Sequence, residues 1–141
     1  MIYKGAIVES ELSANSNGGT EMMRARLLER AEPELLEKVA VHFSRPREIP
    51  KDVENILYCH DLAEDPENNI LANGGWQKFD HFVFVSAWQR DQYIDRFGIP
   101  YSKSTVIYNA VETQYDPYQK DVETIRFIYH TTPHRGLELL V

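Results

Sequence analysis

Residues 81–108 read HFVFVSAWQRDQYIDRFGIPYSKSTVIY. This segment opens with an uninterrupted apolar run at 81–85 and closes with a second one at 105–108. Both runs have the length and the aromatic or β-branched content of buried strands. The polar residues between them carry start and stop signals for a helix. A strand, a helix and a second strand in this order predict a parallel βαβ unit.

The predicted helix has a signal at each end. Ser86 and Gln89 have the spacing of a capping box, in which the Ser86 hydroxyl accepts a hydrogen bond from the Gln89 amide and the Gln89 side chain accepts one from the Ser86 amide. This spacing predicts that the helix begins at Ala87. Gly98 tolerates a left-handed backbone and Pro100 cannot continue a helix, so the two together predict where it ends.

The same alternation extends in both directions along the chain. Apolar residues at helical spacing predict a helix at 21–30 with Thr20 as its N-cap, and Thr132 followed by Pro133 predicts the start of another. Short apolar runs predict further strands at 2–8, 39–43, 56–59 and 125–129. Strands that alternate with helices predict an α/β fold, a Rossmann-like parallel sheet flanked by helices.

A polar, proline-containing segment late in the chain indicates the domain organisation. Residues 1–115 are predicted to form one Rossmann-like domain, and residues 116–124 are typical of an interdomain linker. The strand and helix pattern starts again at 125–141, which indicates the beginning of a further domain.

Composition excludes several classes of protein. Hydrophobic residues make up 43% of the 141 residues, a globular proportion that excludes disordered and collagen-like chains. No apolar run approaches the roughly 20 residues of a membrane-spanning helix and the N-terminus lacks a signal-peptide pattern, so a cytoplasmic location is expected. The net charge of −7 disfavours a nucleic-acid partner. The single cysteine, Cys59, excludes an internal disulfide and a thiolate zinc cage.

Ligands of parallel α/β sheets gather at the carboxyl ends of the strands, so the residues after each strand are the candidates for a site. After the first predicted strand come Asn17, Gly18, Gly19, Thr20 and Glu21. Paired glycines allow close backbone approach, and the helix that follows presents free amides to a phosphate or a sugar. The same residues also fit a surface loop with a Gly-Gly turn, because they contain neither a GxGxxG motif nor a P-loop lysine.

His60 and Asp61 directly follow another strand. A carboxylate beside an imidazole can orient it or favour its charged form, which suits catalysis or sugar binding. The alternative is a histidine bonded to a local carbonyl and an aspartate that caps the next turn. Cys59 has no basic neighbour that would stabilise a thiolate, so it is expected to be a small buried residue without a chemical role.

Two further strand ends and one helix start carry polar side chains. Ser86 is expected to cap the helix that follows it, and Asn109 stands where turn chemistry is common. Thr132 and Arg135 bring a hydroxyl, a helix N-terminus and a guanidinium together, which makes this the best anion site in the sequence. An ion pair between Arg135 and a surface carboxylate is the alternative.

Six short motifs follow one another along the chain: GGTE at 18–21, CHDL at 59–62, FVSAWQ at 84–89, GIP at 98–100, VIYNAV at 106–111 and TPHRGL at 132–137. In this order they resemble glycosyltransferase family 4 and its GT-B relatives, and the resemblance spans nearly the whole chain. In that family two Rossmann-like domains face each other across a cleft. The N-terminal domain holds the acceptor and the C-terminal domain holds most of the nucleotide-sugar donor.

The resemblance implies roles for individual residues. Gly18 and Gly19 match the glycine loop that approaches the donor phosphates or the transferred sugar, and His60 is similar to the catalytic histidine of the cleft. Arg135, with Thr132 beside it, matches the basic residue that neutralises the donor diphosphate. Polar neighbours of these positions are candidates for substrate binding: Asn17, Thr20, Glu21, Asp61, Ser86 and Asn109. Because amides and Arg135 would stabilise the leaving diphosphate, neither a metal nor another cofactor is expected.

We therefore interpret the chain as the acceptor-side part of a retaining, nucleotide-sugar-dependent glycosyltransferase that transfers a hexose. It departs from the family by ending early in the second domain, without the acidic donor-binding motif, so poor turnover is expected of it alone. The alternatives are a non-catalytic module that binds a carbohydrate or a nucleotide, and one half of a split enzyme. In either, residues 125–141 would mediate self-association or contact a partner chain. A nicotinamide-dependent enzyme is disfavoured because no GxGxxG motif follows the first strand.

Overall fold

A computed structural model of the chain describes residues 18–110, which belong to the first of two units, Met1–Val111. The described residues form a parallel sheet flanked by helices, which confirms the predicted α/β, Rossmann-like fold class. The strand predicted at 2–8, the linker at 116–124 and the elements at 125–141 lie outside the described residues. The domain boundaries therefore stay predictions.

Helices come first in the described part of the chain, and four strands with their connections follow. In chain order the elements are α1 (Gly19–Arg30), α2 (Pro33–Leu36), β1 (Val39–Phe43), β2 (Glu54–Cys59), a 3₁₀ segment (Pro66–Lys78), β3 (His81–Phe84), α3 (Ala87–Phe97), a short 3₁₀ turn (Tyr101–Lys103) and β4 (Ser104–Val106). The strand predicted at 39–43 and the helix predicted from Ala87 are confirmed at the bounds expected for them.

The four strands lie in the order β1-β2-β3-β4, and each pairs with its neighbours in parallel. Because all four run in one direction, each connection must return from the end of one strand to the start of the next. Irregular chain makes this return after β1, the 3₁₀ segment after β2 and α3 after β3. The residues that follow the strands thus share one edge of the sheet, the carboxyl edge. The opposite edge is the amino edge.

Alternate side chains of each strand point to opposite faces of the sheet. Each face therefore carries apolar side chains, and both faces are covered by other elements. The core on the face of α3 and the 3₁₀ segment consists of Leu57, Cys59, Ala63, Leu71, Phe79, Phe82, Phe84, Tyr93, Phe97 and Ile99. The core on the other face contains Val41, Phe43, Tyr58 and Val83, against which Met23 and Leu27 of α1 and Leu36 of α2 pack. This arrangement explains the continuous apolar runs of the strands.

One of the two predicted capping contacts of α3 is confirmed and the other is wrong. The Ser86 hydroxyl accepts the Gln89 amide at 3.1 Å, and Gly98 ends the helix in the left-handed region with φ 71°. The Gln89 side-chain oxygen, however, accepts the Val85 amide at 2.9 Å rather than that of Ser86. The side-chain nitrogen of Gln89 donates to the Asp61 carbonyl at 2.8 Å, and this tertiary contact fixes the orientation of the whole amide.

Helix α1 begins two residues earlier than predicted. Gly18, not Thr20, is its N-cap, and Thr20 lies inside the first turn. The reason is that the Glu21 carboxylate accepts the Gly18 amide at 2.9 Å, which satisfies a backbone donor that would otherwise lack a partner at the helix start.

The 3₁₀ segment is broken near its glycines. Asn73 and Gly74 adopt left-handed angles, with φ of 52° and 83°, and interrupt the helical turns. Gly75 lies so close to the preceding turn that a Cβ atom there would stand 1.9 Å from the Ile70 carbonyl oxygen. Only a residue without a side chain fits this close approach of backbone to backbone.

Gly75→Ala is expected to lower the free energy of unfolding by about 1–3 kcal/mol, because the backbone must shift to relieve the clash with Ile70. Gly19→Ala is the matched control, since a Cβ at Gly19 meets nothing within 4 Å. That control should leave the unfolding free energy unchanged or raise it by up to about 1 kcal/mol. Urea denaturation followed by circular dichroism measures both, and equal stability of the two variants would contradict the described packing.

Candidate functional site

The ends of β1 and β2 are joined at the carboxyl edge by two hydrogen bonds through Ser44. The Ser44 amide donates to the Tyr58 carbonyl at 3.0 Å, and the Ser44 hydroxyl accepts the His60 amide at 3.0 Å. Ser44 is buried and adopts a left-handed backbone, with φ 62°. These contacts fix the backbone of the sequence-predicted histidine from the side of β1.

The His60 imidazole lies against two aromatic rings. Its centroid is 4.5 Å from that of Tyr58 and 6.1 Å from that of Phe43, the latter nearly parallel at 24°. The Nε2 atom is shielded from solvent and has no hydrogen-bond partner within residues 18–110. Buried polar atoms in folded proteins nearly always have a partner, so the lack of one at Nε2 is unusual and distinguishes this nitrogen as a candidate for ligand binding.

Opposing effects set the pKa of His60. Burial lowers the pKa below its ordinary value of 6.5, while the carboxylates of Asp61 and Glu21 raise it and do not offset the burial. His60 is therefore a neutral imidazole at pH 7, with one nitrogen that donates and one that accepts. Such a ring suits hydrogen bonding to a hydroxyl group.

The start of α1 lies on the same side of the molecule as His60. Glu21, in its first turn, is near enough for its carboxylate to affect the pKa of His60, and the same carboxylate holds the Gly18 amide. Gly18 and Gly19 are exposed. The structure thus brings the glycine pair, with the partial positive charge of a helix N-terminus, to the edge that carries the histidine.

Asp61 acts on His60 through its charge rather than through a hydrogen bond. Its carboxylate pairs with the Arg45 guanidinium at 3.4 Å, and Arg45 also approaches Asp65 at 3.7 Å. The next turn is capped by Asp65, whose carboxylate accepts the Glu67 amide at 2.9 Å. From the sequence, Asp61 was expected either to orient His60, to favour its charged form, or to cap the next turn. The structure supports only the second of these, the effect on the charged form of His60.

Sequence reasoning missed the tertiary contacts of Gln89 and the contribution of Tyr93. Besides the bond from Gln89, the Asp61 carbonyl accepts the Tyr93 hydroxyl at 3.1 Å, and Asn68 donates to that hydroxyl at 2.7 Å. All three side chains are buried. The capping-box spacing predicted a local role for Gln89 at the start of α3. Only the tertiary structure shows that its side chain also bonds the carbonyl of Asp61, the residue after His60.

The remaining predicted site residues have no described contact with His60 or lie outside the described part. The Ser86 hydroxyl is engaged in capping α3. Asn109 is exposed after β4, and the next carbonyl, that of Ala110, accepts a hydrogen bond from Arg26 of α1. The segment after β4 thus reaches the helix that carries Gly19. Three predicted residues lie outside the described residues: Asn17, Thr132 and Arg135.

Cys59 is fully inside the core, as expected, and burial raises the pKa of its thiol. It is therefore a neutral thiol rather than a nucleophile. Two other histidines have structural partners: His42 is buried with Nε2 3.0 Å from the Asn55 amide oxygen, and His81 lies 2.8 Å from the Thr105 hydroxyl. His60 alone among these three has a shielded ring nitrogen without a partner in the described residues.

A cavity of about 900 Å³ opens at the amino edge, away from His60. It is polar and open, and its wall consists of Lys38, Arg47, Ile49, Pro50, Lys51, Asp52, Val53, Glu54, Asn55, Lys78 and Asp80. Of the predicted site residues that the structure describes, none contributes to it. The chemistry of the carboxyl edge, rather than the size of this hollow, therefore identifies the candidate site.

Residues 18–110 also bear on two other kinds of site. No group of three or more His, Cys, Asp or Glu side chains in that range is arranged to hold a metal ion. Within the same range no helix combines the length and the apolar character needed to cross a membrane.

Comparison with known proteins bears on the described fold. The family model for glycosyltransferase family 4 matches residues 23–115, more than half of the 141 residues, and the match includes all four strands and α3. His60 and Asp61 fall inside the match, and Gly18 and Gly19 lie just before it. No curated protein and no solved structure matches the chain.

His60 is expected to titrate below 6.5, because burial disfavours the imidazolium. Asp61→Asn should lower the pKa of His60 further, since it removes a carboxylate that stabilises the charged ring. Asp91→Asn is the control, because Asp91 is exposed on α3 and paired with Arg90 at 2.8 Å. The ring Cε1–H resonance, followed by NMR across pH 4–8, gives each value. A rise of the pKa in Asp61→Asn would exclude the described electrostatics.

Proposed function

Because the chain belongs to glycosyltransferase family 4, we propose that it provides the acceptor side of an enzyme that transfers a hexose from a nucleotide diphosphate sugar with retention of anomeric configuration. The observation that carries this proposal is the Nε2 of His60 at the carboxyl edge, shielded and without a partner in residues 18–110, on the side of the molecule where α1 begins. A neutral imidazole at that place would hydrogen-bond a hydroxyl of the transferred sugar.

Loss of the diphosphate is the step that most needs stabilisation. As the bond from the anomeric carbon to the phosphate oxygen breaks, the oxygen keeps the electron pair and negative charge accumulates on the diphosphate. The exposed Gly18 and Gly19, with the helix N-terminus behind them, would stabilise that charge through backbone amides. Arg135, next to Thr132, would supply the guanidinium. On this proposal the reaction uses no metal and no cofactor beyond the donor itself.

The other polar residues of the carboxyl edge would define the substrate pocket. One carboxylate oxygen of Glu21 accepts the Gly18 amide, and one of Asp61 pairs with Arg45. The second oxygen of each carboxylate would accept hydrogen bonds from sugar hydroxyls. The Ser86 hydroxyl accepts from Gln89 and would donate to a ligand. We assign Asn17, Thr20 and Asn109 to the same pocket because Asn17 and Thr20 flank the glycine pair in the sequence and Asn109 follows β4. We also propose that the enzyme is cytoplasmic.

His60→Ala is expected to lower the rate of sugar transfer about 100-fold, because it removes the ring that would contact the reacting sugar. His81→Ala is the matched control, since His81 stands at the amino end of β3 and bonds Thr105. Transfer is measured with a panel of nucleotide diphosphate hexoses and glycan acceptors by mass spectrometry, and the anomer of the product by NMR. An unchanged rate in a correctly folded His60→Ala variant, or a product of inverted configuration, would refute the proposed chemistry.

Arg135→Ala is expected to weaken binding of a nucleoside diphosphate about 10–100-fold, the loss of a charge-assisted hydrogen bond, while acceptor binding changes little. The exposed Arg96 of α3, whose guanidinium lies 5.6 Å from the Phe97 ring centroid, provides the control variant Arg96→Ala. Calorimetric titration with UDP, GDP and ADP measures both. Tight diphosphate binding without transfer in any variant would favour a non-catalytic binding module, and equal losses for the diphosphate and the acceptor would remove Arg135 from the donor site.

A further inference from the structure

The backbone amide of His60 is held by the side chain of Ser44. The Ser44 hydroxyl accepts this amide at 3.0 Å from the end of the neighbouring strand β1. Ser44 is 6% exposed, so the bond is protected from competition by water. It therefore fixes the chain on the N-terminal side of the imidazole.

The conformation of Ser44 makes this hydroxyl unusual. Its φ of 62° lies in the left-handed region, which costs free energy for any residue with a Cβ atom and costs glycine little. A glycine would make the same turn without strain. What serine contributes beyond glycine here is the hydroxyl that holds His60.

The C-terminal side of His60 is held by a second buried side chain. The carbonyl of Asp61, the next residue, accepts Gln89 Nε2 at 2.8 Å and the Tyr93 hydroxyl at 3.1 Å. Gln89 Oε1 accepts the Val85 amide at 2.9 Å, which ties the same side chain to the end of β3. Gln89 is 4% exposed, and its amide is satisfied on both sides. The loop after β2 is thereby attached to the strand on its other flank.

We propose that Ser44 and Gln89 are positioning residues that aim the His60 imidazole by fixing the backbone on either side of it. The proposal rests on the proposed function, in which His60 contacts the transferred sugar. Neither side chain needs to touch the substrate. Each acts through His60, and together they tie the histidine to the ends of β1 and β3.

The pKa of His60 would report a loss of this alignment, because it depends on the rings and carboxylates around the imidazole. The ring is packed against Phe43 and Tyr58, and its burial outweighs the effect of Asp61 and Glu21 on its pKa. A His60 backbone released on either side would let the ring become better hydrated. Hydration of the imidazolium raises its pKa toward 6.5, so ring titration follows the alignment without any substrate.

Ser44→Gly tests the first contact, with Asn73→Gly as its matched control. Asn73 is exposed and adopts the same left-handed region with φ 52°, so both variants relieve the same backbone strain. Asn73→Gly is expected to keep the wild-type stability in urea denaturation, whereas Ser44→Gly relieves strain but loses a buried hydrogen bond and is expected to remain folded. Only Ser44→Gly should lower kcat, by tenfold or more with KM changed less than about twofold, because a small misplacement of a reacting group is costly.

Gln89→Met tests the second contact, with Gln92→Met as its control on the same helix. Gln92 is partly buried and makes no side-chain hydrogen bond in the described residues. We expect the pKa of His60, read from its ring resonances, to rise toward 6.5 in Ser44→Gly and in Gln89→Met and to stay at the wild-type value in both controls. Should Gln89→Met fail to fold, Ser44→Gly still decides the outcome.

The two readouts separate this proposal from the proposed function. An unchanged His60 titration in a folded Ser44→Gly variant overturns the positioning role, whatever happens to transfer. A shifted titration accompanied by a fall in kcat supports both. If the titration shifts as expected but neither wild type nor variant transfers sugar, Ser44 and Gln89 do align the ring and the proposed function fails.

Discussion

Parallel pairing of β2 with both of its neighbours is the constraint on which the rest of the structure depends. A parallel strand can be reached only by a chain that crosses back over the sheet, so every pair in β1-β2-β3-β4 demands a connection. These connections and α1 with α2 cover the two faces, which lets strands with continuous apolar runs be buried on both sides. The same constraint gathers all four strand ends at one edge. The proximity of Ser44, His60 and Val85 follows from it.

Local signals predicted the parts of the fold that local chemistry determines. Helix α3 was predicted correctly because the Ser86 hydroxyl and the left-handed Gly98 act within one turn of its ends. The start of α1 was predicted wrongly because two chemically reasonable caps stand two residues apart. Gly18 rather than Thr20 is the N-cap because the Glu21 carboxylate accepts the Gly18 amide.

The candidate site was predictable in its residues but not in its electrostatics. His60 follows a strand, so its place at the carboxyl edge could be read from the pattern of strands. That its Nε2 is shielded and without a partner in the described residues could not, because the ring packs against Phe43, seventeen residues earlier in the chain. The engagement of Asp61 by Arg45 is likewise a contact between two loops. Sequence spacing names the groups near a site, whereas tertiary packing determines which of their atoms remain available.

Because Cys59 is buried, chemical labelling of its thiol reports on opening of the core at the end of β2. Its thiol is fully covered at the end of β2, directly before His60, and is the only thiol among the 141 residues. A disulfide reagent can modify it only when that end of the strand separates from α3, so the labelling rate measures how often the core opens there. An opening that exposes this sulfur must also disturb the residue beside it. The lifetime of the closed state thus sets an upper limit on how long the imidazole keeps its alignment.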